Sequence, residues 1–553
     1  MRYLRRRVVL SKLLIFAAAG VQTLMPGVTY GHGVQFTAHG PVAMHVVRAP
    51  RPGGLYQVAP LLSNDAVVGG ETVTAMQRRL SAQVTAVSVN GDLSSADGQP
   101  AGIVVRDGAL DHPPVAARSS AGFDALGTLH VDRVRFAGDW RGTGQRRPLA
   151  GVNEAPAAGG VVLFTPSWGP TTPRAADAVD AVLSPFPPAG TSGDLAAPVT
   201  QLVPGGGTAI PPGGAILQAR GGAIAGKLTA EAPVGTQVVT RLILQPSSWA
   251  GIPQAVGGGP VLVRNGKVVY RANEAFSDDL LLPRLARSAV GQARDGSVLL
   301  VEVDGGRPGY SVGMTSFELA LAMQRLGAVW AIALGSGAAS GLAFDGALLS
   351  RQRGAEQPVA DALSVLYYGV YAPPPTAPVY SPNGDGAGDA EQLAYKLVRP
   401  TNVNAVLVGP DGVARVVDTG HRDPGTYRFP FTGADATGLP LPEGAWRWHV
   451  DATDDGGAAS SAERPFSYDL TLGSLRAAGR TVTARLTRGA DVTLRIETAA
   501  GAPVDSVVRR AQPAGPLQLR WQGKAPAGRY VARLVAESSV GSSELEAPVT
   551  LTH

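Results

Sequence analysis

The sequence predicts an α+β domain with mixed sheets followed by two all-β sandwiches, and three observations carry that assignment. Short apolar runs alternate with Gly/Pro turns along most of the chain, which holds 71 Gly and 44 Pro among 553 residues; that composition suits turn-rich β structure. The segment Tyr371-Ala-Pro-Pro-Pro-Thr-Ala-Pro378 can continue neither a helix nor a central strand, so it divides the chain. Beyond it, one set of strand-like segments occurs twice.

The elements follow in order. Arg2, Arg5, Arg6, Arg7 and Lys12 precede an apolar run over 13–21, the layout of an export leader. Residues 1–31 are assigned to it, which places the mature protein in the secreted or cell-surface compartment. Gln22 and Pro26 interrupt the run, leaving it short for a spanning helix of about 20 residues. The first domain covers 32–370, with strand-like runs at 86–89, 160–164, 238–244 and 298–303. Its clearest helix starts at Thr315-Ser-Phe-Glu318, where the Thr oxygen can accept from the third N–H and Glu318 can reach back. Leu319, Ala320, Leu321, Met323 and Leu326 then make a helix apolar on nearly all sides, hence buried, and Gly327 stops it. After the linker at 371–379, sandwiches occupy 380–465 and 466–553. Segment 405–412 returns at 494–501, 427–431 at 517–521, and Pro442-Glu-Gly-Ala-Trp-Arg-Trp448 as Pro526-Ala-Gly-Arg-Tyr-Val-Ala532, as two copies of one module would.

Charge and residue usage exclude several classes. Lys and Arg exceed Asp and Glu by 5, and no basic cluster interleaved with aromatics lies beyond the N-terminus, so no nucleic-acid partner is expected. Absence of Cys removes disulfides, thiolate metal sites and a Cys nucleophile. The 8 His are scattered, no two at ligand spacing on an expected helix, so no zinc site is expected either. No Gly-x-Ser-x-Gly elbow with a following Asp and His supports a hydrolase triad.

Chemistry enters with six motifs. Val89-Asn-Gly-Asp92 runs on to Asp97-Gly-Gln-Pro-Ala-Gly102; then come Gly257-Gly-Gly-Pro-Val-Leu-Val263, Arg287-Ser-Ala-Val-Gly291, Val303-Asp-Gly-Gly-Arg307, Ser311-Val-Gly-Met-Thr315 and Pro358-Val-Ala-Asp-Ala-Leu363. In this order, over roughly residues 35–370, they resemble the phosphodiester glycosidase family, whose relatives include the enzyme that uncovers mannose 6-phosphate by removing a phosphate-linked N-acetylglucosamine. The resemblance implies a sugar-1-phosphodiester ligand in an envelope glycan. Tyr380-Ser-Pro-Asn-Gly-Asp-Gly-Ala-Gly-Asp389 in turn resembles the opening of immunoglobulin-like modules in bacterial secreted proteins and in the flagellar hook-capping protein.

The candidate residues follow. Gly-Gly turns let backbone N–H groups approach a phosphate, and an Arg at a strand end offers a fork to its oxygens. Arg287 and Arg307 are therefore candidate phosphate ligands, against the alternative that each pairs with a surface carboxylate. Asn90 and Asp92 are candidates for sugar hydroxyls or for turn duty, and Ser336 and Ser340 for hydrogen bonds to substrate. Asn383, Asp385 and Asp389 carry oxygens at a spacing suited to Ca²⁺, although a plain Asn-Gly/Asp-Gly turn is the simpler reading.

The departure from the family lies in Ala333-Leu-Gly-Ser-Gly-Ala-Ala-Ser340, where relatives usually read Asn-Leu-Asp-Gly-Gly-Gly-Ser-Ser. Gly335 stands at the Asp and transfers no proton, so cleavage needs another carboxylate. Asp304 and Asp345 are the candidates, Glu318 being engaged by its cap. Three functions remain open on these grounds: an active phosphodiester glycosidase, a weakened relative that binds sugar phosphates, and a structural surface protein.

Overall fold

The computed structural model describes residues 19–95, 97–269, 274–382, 388–498 and 501–551. The chain forms two compact units, Met1–Tyr367 and Tyr368–His553. The division falls just ahead of the Pro-rich segment.

The first unit is mostly β rather than α+β. Its α-helices among the described residues are Val73–Leu80, Gly222–Glu231, Asp278–Leu281 and Ser316–Arg325. Nor are its sheets mixed in any extended way: Gly151–Val152 beside Val161–Phe164 is a parallel pair among antiparallel neighbours. The Gly/Pro segments are the reason. They close hairpins, and antiparallel strands joined by hairpins need no helical crossover.

One eight-stranded sheet runs in the order Ala19–Met25, Val28–Thr37, Gly40–Ala49, Val298–Val303, Arg287–Ala293, Ala328–Ser336, Val261–Arg264, Lys267–Val268. The helix Ser316–Arg325 covers one face of it. Leu319, Ala320 and Met323 pack on Val42, Met44, Ala289, Val301 and Val303, and the Thr315/Glu318 capping box is formed in both directions. Because side chains alternate along a strand, His45, Ser288 and Glu302 must point to the opposite face. There the sheet meets a five-stranded one built from Ala347–Leu348, Leu342–Phe344, Thr85–Asn90, Asp361–Tyr367 and Tyr56–Leu62. A further five-stranded and a further eight-stranded sheet complete the unit, around a core that includes Trp140, Trp249, Leu217 and Val238.

The N-terminal strand bears on the leader assigned to 1–31, of which residues 1–18 lie outside the described ones. Ala19–Met25 pairs with Val28–Thr37, and Leu24, Met25 and Val28 are fully buried. Removing residues up to 31 would expose that pairing. Among the described residues, no helix is long and apolar enough to cross a membrane.

The second unit holds two sandwiches. In the first, Trp446, Trp448, Tyr395 and Phe431 fill the core; in the second, Trp521, Leu494, Leu534 and Val549 do. The repeat is visible in one hydrogen bond. Trp446 Nε1 donates to the Pro442 carbonyl at 3.0 Å, and Tyr530 Oη donates to the Pro526 carbonyl at 2.8 Å, so matched aromatics keep their polar ends satisfied in the same way. Of the Ca²⁺ candidates, Asn383 and Asp385 lie outside the described residues.

Deleting residues 1–18 is expected to leave the melting temperature of the first unit nearly unchanged. Deleting 1–31 is expected to lower it, since each lost core side chain is worth about 1.5–3 kcal/mol. Thermal unfolding of the two truncations checks this; equal melting temperatures would show that the first strand adds nothing.

Candidate active site

Strand register assembles a polar row on the face opposite the helix. His32 pairs with His45, His45 with Glu302, and Glu302 with Ser288. Asp304, two residues beyond Glu302, projects on the same side. This row sits where two sheets meet, and at Asp304 it borders a cavity.

Asp304 is almost fully buried and well supplied with donors. Its Oδ2 accepts from the Tyr310 hydroxyl at 2.9 Å and lies 2.9 Å from His45 Nε2, while Oδ1 accepts from the Arg351 backbone N–H at 2.7 Å. His45 Nδ1 lies 2.7 Å from the Tyr30 hydroxyl. Burial first, then the nearby Asp304 charge, pushes Tyr30 up to about 12. Burial and the hydrogen bond to Asp304 raise Tyr310 as well, so both stay protonated donors at neutral pH. Glu302 is raised well above the usual carboxylate range, by burial first and Asp304 second, and its Oε2 has no partner among the described residues. His32 is lowered by burial and then by His45.

Two cavities open beside this group and share Arg351. One, of about 170 Å³, is lined by Glu302, Asp304, Ser340, Arg284, Arg351 and Arg353 among others. The other, of about 410 Å³, is lined by Tyr30, His32, His45, Tyr310 and Arg351 with Gln22 and Leu349. Arg284 is bound to Glu318. The guanidinium groups of Arg351 and Arg353 have no carboxylate partner among the described residues, and Arg351 lies 5.3 Å from the Tyr310 ring centroid. Unpaired cations at the mouth of a carboxylate-floored cleft favour an anionic ligand.

A second polar group lies deeper. Asn90 Nδ2 donates to the Gly335 carbonyl at 3.0 Å, and its Oδ1 accepts from Ser288 Oγ at 2.5 Å and Gly341 N–H at 3.1 Å. Asp92 is bound to Arg118, and its N–H donates to Asp361 Oδ1 at 3.1 Å. A Cβ at residue 91 would lie 2.5 Å from the Asp361 carboxylate, so only Gly lets the two acids approach. Asp361 is pushed up to about 8, by burial and then by Asp92; burial also raises Asp92, against the opposing pull of Arg118.

The residues singled out from the sequence are thus divided. Asp304 and Ser340 share the smaller cavity. Asn90 is buried and spends its groups on structure, because the Asn-Gly-Asp turn is where the two sheets join; Asp92 is buried as well, with Oδ1 bound to Arg118 and Oδ2 without a partner among the described residues. Arg287 is not a phosphate fork: Nε donates to the Met314 carbonyl at 3.0 Å and Nη2 to the Pro283 carbonyl at 2.9 Å, and burial lowers it to about 10. Arg307 is exposed, 5.4 Å from the Tyr310 centroid, and lines neither cavity. Ser336 ends its strand opposite Arg287, while Asp345 is an exposed turn residue at φ 45° away from both cavities. Asp389 lies in the second unit. His45, Glu302, Arg351 and Arg118 were missed. Only Glu302 left a signal, as a charge within an apolar strand.

Residues 189–366 match the phosphodiester glycosidase family. This stretch carries Arg287, Glu302, Asp304, Gly335, Arg351 and Asp361. A protein from Synechocystis is similar in fold, with 24% identity and a TM-score of 0.53, over 64% of this chain. The chain spans 64% of that protein's length. A Burkholderia pseudomallei K96243 protein assigned to export gives 23% identity and a TM-score of 0.47, over 59% of this chain and 74% of its own. The catalytic domain of zebrafish N-acetylglucosamine-1-phosphodiester alpha-N-acetylglucosaminidase, auto-inhibited by its pro-peptide, gives 12% identity and a TM-score of 0.33, over 62% and 84%. No curated protein matches the chain.

Two outcomes follow from the buried group. Asp361 binds its proton more tightly folded than unfolded, where an Asp titrates near 3.9, so its contribution to stability is complete below about pH 4 and lost as pH rises to about 8. Asp361→Asn is expected to flatten that slope in urea unfolding across this range; an unchanged slope would contradict the assignment. Gly335 has no room for a larger residue, since a Cβ there would lie 2.9 Å from both Asn90 Nδ2 and the Asp92 carbonyl. Gly335→Asp is therefore expected to cost about 1–3 kcal/mol or more and to restore no activity, read by thermal unfolding and turnover together.

Proposed function

We propose that the first unit hydrolyses a sugar-1-phosphodiester of an envelope glycan in the cleft at Asp304. The observation that carries this is the meeting in one cavity of a buried carboxyl pair, Glu302 and Asp304, with the guanidinium groups of Arg351 and Arg353, which have no carboxylate partner among the described residues. An anionic diester needs cations at its phosphate oxygens, and glycosidic cleavage needs carboxyl groups that move a proton or activate water. Oxygens of the two carboxyls approach within 4.8 Å of each other, closer than the roughly 6.5–9.5 Å at which an inverting pair holds its water. So close and buried a pair acts as a unit that positions the nucleophile. Arg351, shared by both cavities, is assigned to the phosphate, which puts the sugar on one side of it and the alcohol on the other. The basic and apolar N-terminal run supports action outside the cytoplasm, and the sandwiches serve as spacers from the surface.

One feature favours a second reading, binding without turnover: Gly335 stands where the resemblance implies an Asp, and its surroundings exclude a side chain. Kinetics on an N-acetylglucosaminyl phosphodiester separate the two. Asp304→Asn is expected to lower kcat by about 10²–10⁴-fold with little change in KM, and Arg351→Ala chiefly to raise KM. Arg351-dependent binding by a wild-type protein that turns over no glycosyl phosphodiester would establish the second reading instead.

A further inference from the structure

We propose that His45, Glu302 and Asp304 together hold one divalent metal cation of the Zn²⁺ or Mn²⁺ class. The inference rests on the reading above for its role in the reaction, but its evidence is separate. Three side chains from two neighbouring strands and the turn that follows bring one nitrogen and two carboxylate oxygens within 4.8 Å of one another, all buried. Glu302 Oε2 has no partner among the described residues, although Glu302 is 1% exposed; a buried acceptor of this kind calls for a ligand.

Geometry fits an ion. His45 Nε2 and Asp304 Oδ2 are 2.9 Å apart, and two ligands at about 2.0–2.2 Å from a metal in tetrahedral or octahedral array stand roughly 3–3.5 Å apart. That pair needs little widening, and the Glu302 oxygen lies within 4.8 Å of both. The Tyr30 hydroxyl, 2.7 Å from His45 Nδ1, can accept that ring N–H and leave Nε2 to the metal, as outer partners of metal-bound His do. Charge fits too. Two carboxyl groups lie side by side, with His45 Nε2 2.9 Å from Asp304 Oδ2 and no guanidinium within ion-pair distance of either among the described residues; burying such a pair is costly unless positive charge joins it. Entry is provided from the smaller cavity at Glu302 and Asp304 and from the larger at His45. His32, whose Nε2 is also without a partner among the described residues, lies with its ring centroid 4.6 Å from that of His45, beside the three ligands rather than among them. One imidazole and two carboxylates leave open positions on the metal, the pattern of ions that activate water.

The test is calorimetric titration of the full chain, stripped with EDTA, with ZnCl₂ and separately with MnCl₂. One equivalent is expected to bind at saturation. Glu302→Gln and His45→Gln are expected to weaken binding at least tenfold, and Tyr30→Phe, which leaves the ligands and packing in place, by about 10–100-fold. No saturable uptake by the folded wild-type chain, or equal affinity in all three variants, would overturn the proposal. Turnover of a glycosyl phosphodiester by the stripped protein without metal binding would overturn it while leaving the hydrolase reading intact. Stoichiometric binding without turnover would do the reverse.

Discussion

The side-chain amide of Asn90 holds the centre of the first unit together. It reaches from the end of Thr85–Asn90 to the Gly335 carbonyl, Ser288 Oγ and Gly341 N–H, and so locks the five-stranded sheet against the eight-stranded one. All of these groups are buried, and each left without a partner would cost about 1–3 kcal/mol. The constraint propagates to the backbone. Gly91 and Gly335 carry no side chain because a Cβ at either would collide with Asp361 or with Asn90 itself. Ser288, held by Asn90, is in register with Glu302, so the joint between the sheets also sets the height of the acid above the cleft.

The two polar groups at this joint solve the problem of burial differently. Around Asp92 and Asp361, charge is contained: Arg118 binds one acid, and the other is kept protonated by its surroundings. Around Asp304 the partners are one hydroxyl, an imidazole ring and a backbone N–H rather than a guanidinium, and Arg351 and Arg353, without a carboxylate partner among the described residues, line the cavity. A site whose cations line its mouth rather than pair with its buried acids is arranged for binding and chemistry rather than for stability.

Much of the fold was legible and the site only partly so. The capping box at Thr315 depends on residues within a few positions of one another, where sequence reasoning is strongest, and the change of unit at Tyr368 lies close to the Pro-rich segment. The helix content was overestimated because Gly/Pro turns between short runs do not reveal whether the next strand returns directly. Asp304 was legible as a carboxylate free of a cap. Arg287 and Asn90 were read as ligand groups because forks and amides bind phosphates and sugars equally well as backbone carbonyls, and only burial separates these uses. His45 was invisible: it lies far along the chain from Glu302, and strand register alone makes them neighbours. Spacing rules for metal ligands assume one helix or loop, so they miss ligands brought together across a sheet.

In the proposed reading, the phosphodiester is gripped between Arg351 and Arg353 above Asp304. A crystal structure of the chain with a non-hydrolysable sugar-1-phosphonate tests it most directly. The account requires the phosphonate oxygens to accept hydrogen bonds from Arg351 and Arg353, with the anomeric carbon within reach of Asp304. Density for the ligand at Arg287, or in a cleft that does not contain Asp304, would contradict it.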